Sequence, residues 1–430
     1  MFDFAEKALK LALRNSEMAE VYIEREQTVE VQVQRDIIDF GKIESMTGVG
    51  IRVLKGGRMG FAYTSDPSNL QRAVKMATEN LRLADPDENF GFSEPASYPT
   101  VKDIFDASFL ELDVGEAASI AEVMVDKTLD EGCRPTSGGF SASMVETFIL
   151  NSEGVEASSR STGFSAYISV NAEKNRSRTT AYESDSSCSM DIDPEWIAGR
   201  ACRIARDSLG GENVESGRVS AVLDYHAAAG LLGTFAAAFS ADNVQRGRSI
   251  LADRIGTEIT SPDLSIYDDG TLGGGLGSSP FDGEGTPSQR TLLVADGVLE
   301  GYIHSIYTAS KGSCESTGNG LRSYSDIPLV STTNFVLEFG DEVSVDDFSG
   351  IYVTDVLGAH TANPISGDFS VEANNAFLVE GGEFTPVKKA MLSGNIFDLM
   401  KTVSSTDLER RQIGDFVTAP LIVEGIHVTG

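Results

Sequence analysis

The sequence predicts an α+β protein. An N-terminal helix and antiparallel-sheet domain precedes a mostly β C-terminal domain carrying one long packed helix. Three observations predict this. Long stretches alternate apolar and polar residues, as strands buried on one face do. Glycine and aspartate-glycine pairs sit where such stretches reverse. A few segments instead repeat their apolar residues at helical spacing.

Residues 1–15 carry Phe4, Ala5, Ala8, Leu9, Leu11 and Ala12 as a helical stripe. The start lacks a basic region before a continuous apolar run, so it reads as a mature amphipathic helix and not as a leader. Val21, Ile23, Val29, Val31 and Val33 then alternate with Glu and Gln. "GVGIRVLKGGRMGFAYTSD" predicts a hairpin turning at Gly56-Gly57, and residues 67–84 a helix. Residues 85–105, rich in Pro, Asp, Ser and Asn, read as a surface linker. A helix is expected over 113–131, strands either side of "NSEG", and a helix opened by Pro194 in its first turn. After Arg218 a short strand runs into a long helix of small residues. Hairpins follow at Asp296-Gly297 and Gly381-Gly382. The expected divisions are 1–90, 91–214 and 215–430, and no repeat of fixed period appears.

The chain has 430 residues, 65 acids against 34 bases, and a net charge of -31. That balance argues against nucleic acid as a direct ligand. The longest basic cluster is "ERRQ" near the C-terminus, and no basic patch is visible along the chain. No apolar run is long enough to span a membrane, and a cytoplasmic protein is expected. Cys133, Cys188, Cys202 and Cys314 lie far apart and form no CxxC, which argues against disulfide scaffolding and a zinc knuckle.

Few residues suggest chemistry. The acidic, glycine-rich segment 267–285 lacks the lysine of a phosphate loop, and its acids are too widely separated for a calcium loop. A mobile loop over a cleft and a plain surface loop both remain open. Arg322 is a candidate contact for a peptide C-terminus or a partner carboxylate, with a surface salt bridge as the alternative. No G-x-S-x-G elbow is present. "HAAAGL" at 226–231 places one His at the start of a helix of small and apolar residues. Zinc hydrolysis needs about three protein ligands and a base beside the bound water. Ala227 can do no acid–base work, and Leu231 has no donor atom. His304, His360 and His427 each stand alone in sequence. A site assembled from distant residues stays open.

Several segments together carry a resemblance. They are "GVGIRVLKGGRMGFAYTSD" (48–66), "ILNSEG" (149–154), "SSPFDGEGTPSQRTLLVADGVLEGYIHSIYTASKG" (278–312), "STGNGLR" (316–322) and "VEGGEFTPVKKAMLSGN" (379–395). In this order they resemble the TldD/PmbA family, which pairs two related subunits. The resemblance implies that the TldD type is a metallopeptidase with His-Glu-x-x-x-His and a C-terminal Cys, and that the TldE/PmbA type has lost that set. Placed on this sequence, His226 takes the first His position, Ala227 replaces the Glu, Gly230 matches, and Leu231 replaces the second His. The resemblance therefore implies a non-catalytic subunit without its own cofactor. Zinc is expected in a TldD-type partner, and peptides or unfolded polypeptides as substrate. A homodimer without the partner, an independent peptidase with a relocated site, and a protein-binding modulator of DNA gyrase are the alternatives.

Overall fold

The computed structural model describes all residues 1–430. Its first half is one six-stranded antiparallel sheet in the order β3-β2-β1-β4-β5-β6. The strands are β1 (Met18–Gln34), β2 (Ile37–Lys55), β3 (Arg58–Thr64), β4 (Arg134–Asn151), β5 (Glu156–Lys174) and β6 (Ser177–Ser187). Four helices pack on one face: α1 (Phe2–Ala12), α2 (Leu70–Asn80), α3 (Val114–Asp130) and α4 (Pro194–Asp207). The alternation in β1 explains how one strand serves both helix pairs. Val21 and Ile23 join the core beneath α1 and α2, while Val29, Val31 and Val33 join the core beneath α3 and α4. The helix ends match their chemistry. Asp113 and Glu116 form a reciprocal capping box, and Pro194 opens α4 behind an Asp193 cap.

The second half is mostly β, as expected. Five strands close into a barrel: β7 (Gly217–Leu223), Gly350–Leu357, Asp368–Glu380, Ala390–Asn395 and Leu421–Thr429, which pairs back with β7. Closure removes the open edges that strands otherwise present. The turn chemistry holds. Gly56 and Gly57 have φ of 57° and 70°, and Gly381 and Gly382 have 58° and 81°. Both central residues of such two-residue turns need positive φ, which glycine adopts without strain.

The single long helix does not form. Helix α5 spans Tyr225–Ala236, a short 3-10 turn covers Ala237–Phe239, and the chain extends at Ser240 before one further turn at Ala241–Gln245. Pairing with a distant segment breaks it. Ile303 N donates to Phe239 O at 3.0 Å, and Ala241 N donates to Ile303 O at 3.0 Å. Those bonds occupy backbone groups that a continuous helix would use internally.

The stretch 85–105 has little regular structure, yet it is more than a surface linker. Phe92 and Ser93 are buried. Ser93 Oγ donates to Glu284 O at 2.5 Å, and Asn151 Nδ2 donates to Ser93 O at 2.9 Å. The segment straps the sheet to the C-terminal half. No helix is long and apolar enough to cross a membrane.

Candidate functional site

The start of α5 directly follows barrel strand β7. Asp224 caps the helix by accepting from Tyr225 N at 2.9 Å. The helix then runs without a break through residues 225–236, with positions 226 and 231 pointing roughly 140° apart, as a regular helix requires. His226 faces β6, where its Nε2 lies 2.9 Å from Glu183 Oε1. Tyr182 meets the His226 ring edge-on, with 5.6 Å between ring centres. Ala227 is fully buried, and Leu231 sits in the main C-terminal core at 2% exposure. Gly230 introduces no distortion. A side chain there would approach Val356 Cγ2 to 3.3 Å and Ala359 Cβ to 3.4 Å, so glycine lets the helix press against the barrel.

Glu183 is the hub of this cluster. Arg200 on α4 donates to it at 2.6 Å and also reaches Asp224 at 2.7 Å. Arg411 donates to Glu183 at 3.3 Å and to Ser184 O at 2.9 Å. Its guanidinium lies between the rings of Trp196 and Tyr225, at 4.5 and 4.8 Å from their centres. Burial by itself would raise the Glu183 pKa. The His226 hydrogen bond and charge, with Arg411 and Arg200, outweigh it and hold the carboxyl at about 2. The cluster therefore joins the sheet, α4, α5 and the C-terminal segment through one ionised carboxylate.

Zinc does not fit the residues at 226–231. The only donor side chain there is His226, and Glu183 already engages its Nε2. Ala227 and Leu231 offer no ligand atom and face packed core. Across the chain, no group of three or more His, Cys, Asp or Glu side chains is arranged to hold a metal ion. The structure does bring together one pair that sequence spacing hid. Cys314 Sγ lies 3.8 Å from both ring nitrogens of His304. Burial lowers the His304 pKa and raises that of Cys314, which favours neutral imidazole and thiol over an ion pair. His360 and His427 join no such pair.

Arg322 points inward, its side chain only 1% exposed. It pairs with Glu20 of β1 and stacks on Tyr22, 4.3 Å from the ring centre. Arg52 of β2 grips the same Glu20 with two hydrogen bonds of 2.9 Å and reaches Glu284 at 3.2 Å. Burial opposes the Glu20 charge, but Arg322 and Arg52 overcome it and keep the carboxyl below its usual range. This network fastens the sheet face opposite the helices to the C-terminal half.

The segment 267–285 is no open surface loop. Asp268, Asp269, Asp282 and Glu284 are all buried. Asp282 accepts from the backbone N–H groups of Glu284, Thr286 and Gly320 at 2.9, 2.9 and 2.8 Å. Burial, followed by the charge of Glu284, pushes Asp282 up to about 7. Burial pushes Asp268 up to about 6. Their sign sets a pH dependence. From about pH 4 the unfolded chain has released these protons while the fold retains them, up to about pH 6 for Asp268 and about pH 7 for Asp282, so stability falls as pH rises through that window. Glu183 acts oppositely: its contribution is complete above about pH 4.3 and is lost as pH falls toward 2. The melting midpoint, followed at constant ionic strength, is expected to peak at about pH 4–5 and fall toward 7. Growing net charge acts in the same direction. Asp282→Asn isolates the buried group by flattening the fall, and a midpoint that climbs steadily from pH 5 to pH 7 contradicts the account.

Comparison with known proteins gives this geometry its context. The sequence profile of the PmbA/TldA metallopeptidase C-terminal domain matches residues 216–430, half of the chain. The profiles of domain 1 and the central domain match residues 19–81 and 107–209. The chain belongs to the PmbA/TldA metallopeptidase family. Among its relatives is an uncharacterized protein of Methanocaldococcus jannaschii, 35% identical and covering 98% of both chains. The Escherichia coli O157:H7 protein named metalloprotease PmbA is 27% identical, covering 94% of this chain and 91% of its own. The PmbA/TldA fold is shared with TldE from Thermococcus kodakarensis, at a TM-score of 0.93 and 24% identity over 99% of this chain and 100% of that one. Within this family member, then, the α5 helix start carries a charge cluster and not a metal-ligand set.

Proposed function

We propose that this chain is a non-catalytic subunit of the TldE/PmbA type, working with a TldD-type metallopeptidase subunit that degrades or processes peptides and unfolded polypeptides. The observation that carries the reading is the α5 helix start. His226 is engaged by Glu183, while Ala227 and Leu231 are core residues without donor atoms. A peptide hydrolase using this helix would need ligands and a base that these side chains do not supply. The fold shared with the TldE structure, and the presence of PmbA proteins among the relatives, are consistent with a TldE/PmbA-type subunit.

The experiment compares this chain alone, a TldD-type subunit from the same genome alone, and the mixture. Zinc-dependent cleavage of an unfolded polypeptide is measured beside complex mass by light scattering. The expected result is no cleavage by this chain, a mixed complex, and cleavage only where the TldD-type subunit is present. Chelator-sensitive cleavage by this chain alone would sink the proposal, as would failure to form a mixed complex.

A further inference from the structure

A groove beside α2 locally reverses the sign of this acidic protein. A groove of about 740 Å³ opens between the ends of α1 and β2 and the length of α2. Arg14, Lys55, Lys75 and Arg82 line it, with Glu79 the only lining acid. Of the four cations only Lys75 has a carboxylate within ion-pair range, Glu79 at 3.7 Å. Lys55 Nζ donates to Asn15 O at 3.3 Å. The rest of the chain carries the excess acid behind a net charge of -31.

Two ordinary explanations cover part of this. Arg14 and Arg82 follow the C-terminal ends of α1 and α2, where cations complement the helix dipole. That does not explain Lys55, which ends a strand, or Lys75, which lies mid-helix. Helix i,i+4 pairing accounts for Lys75 and Glu79. Neither explanation draws four cations from three elements onto one groove.

The geometry points to a binding groove for an acidic peptide segment. Its carboxylates would meet the four cations, and an aliphatic side chain would rest on Leu11, Val74 and Leu81. The volume falls in the range of about 300–1,000 Å³ usual for ligand clefts. A compact phosphate offers one point of charge to four cations carried on three elements. Carboxylates spaced along a chain can reach the cations individually. Screening over about 8 Å at physiological salt lets a short ligand sense this patch more than the distant acidic surface. The ligand class rests on the peptide-handling reading above. The binding itself needs no partner, so the two stand or fall in separate experiments.

The probe is a short fluorescent peptide alternating Glu and Leu, titrated into the full chain at about 0.15 M salt, where screening acts within about 8 Å, and followed by anisotropy. Saturable binding is expected, weakened roughly tenfold by Lys55→Glu with Arg82→Glu. Arg14→Ser provides a milder second variant. Arg72→Glu reverses a charge on the same helix outside the groove and should leave binding unchanged. Matched melting midpoints establish that the exposed substitutions leave the fold intact. The matching Gln-Leu peptide should not bind, and inorganic phosphate at millimolar concentration should not displace the probe. Absent saturable binding, equal weakening by the groove variants and Arg72→Glu, equal binding of the Gln-Leu peptide, or ready displacement by phosphate would each overturn the proposal.

Discussion

Ala227→Glu combined with Leu231→His is expected to destabilise the protein severely and to restore no peptidase activity. On paper the change rebuilds His-Glu-x-x-x-His at 226–231. In the fold, Ala227 has no exposed surface and Leu231 has 2%. A glutamate at 227 would place an unpaired charge in packed core, and a histidine at 231 would replace leucine contacts with a polar ring. Losing the leucine alone costs about 2–5 kcal/mol, and an unpaired buried polar group adds to that. The regular helix would also point the two imidazoles roughly 140° apart. His226 would further have to leave Glu183 to meet a metal. Denaturant midpoints should drop for each single variant, and zinc content after metal loading and desalting should stay below one per chain. A stable double variant that cleaves an unfolded peptide in a zinc-dependent way would overturn this account.

Glu183→Ala should be nearly as damaging, through charge and not volume. It leaves His226, Arg200 and Arg411 converging on a vanished carboxylate; Arg200 keeps Asp224, Arg411 keeps Ser184 O and the more distant Asp185, and His226 loses its carboxylate partner. Breaking a buried ion pair from one side costs about 3–5 kcal/mol. His226→Gln should cost less, roughly 1–2 kcal/mol, because Glu183 retains two arginines. The two losses should not add, since both remove the same contact. Limited proteolysis in the connection after α4 reports whether the halves have loosened. Wild-type resistance and an unchanged denaturation midpoint for Glu183→Ala would show that the cluster is not a clamp.

The legible features share a physical cause: they were local. Turns at Gly56-Gly57, Asp296-Gly297 and Gly381-Gly382 need positive φ, and the residue types announce it. The α3 capping box is spelled within a few residues. The loss of ligand atoms at Ala227 and Leu231 is a fact about residue types, independent of packing. What stayed hidden was set by contacts far apart in the chain. The break at Ser240 comes from Ile303, the inward turn of Arg322 from Glu20, and the burial of Asp282 from backbone donors reaching as far as Gly320.

The sequence by itself determined that this is an α+β chain of mixed helix and strand periodicity, that its surface is strongly acidic, and that the helix at 225–236 lacks a metal-ligand set. Those properties follow from composition, period and functional groups, which no fold can alter. Only the tertiary structure decided what the remaining polar residues do. It turned His226 onto Glu183, buried the acids of 267–285, and gathered Arg14, Lys55, Lys75 and Arg82 into one groove. Charges spread over about seventy positions cannot be read as a patch along the chain; they become one when α1, α2 and the end of β2 pack on the same sheet, because burying their apolar faces sets where their polar faces meet.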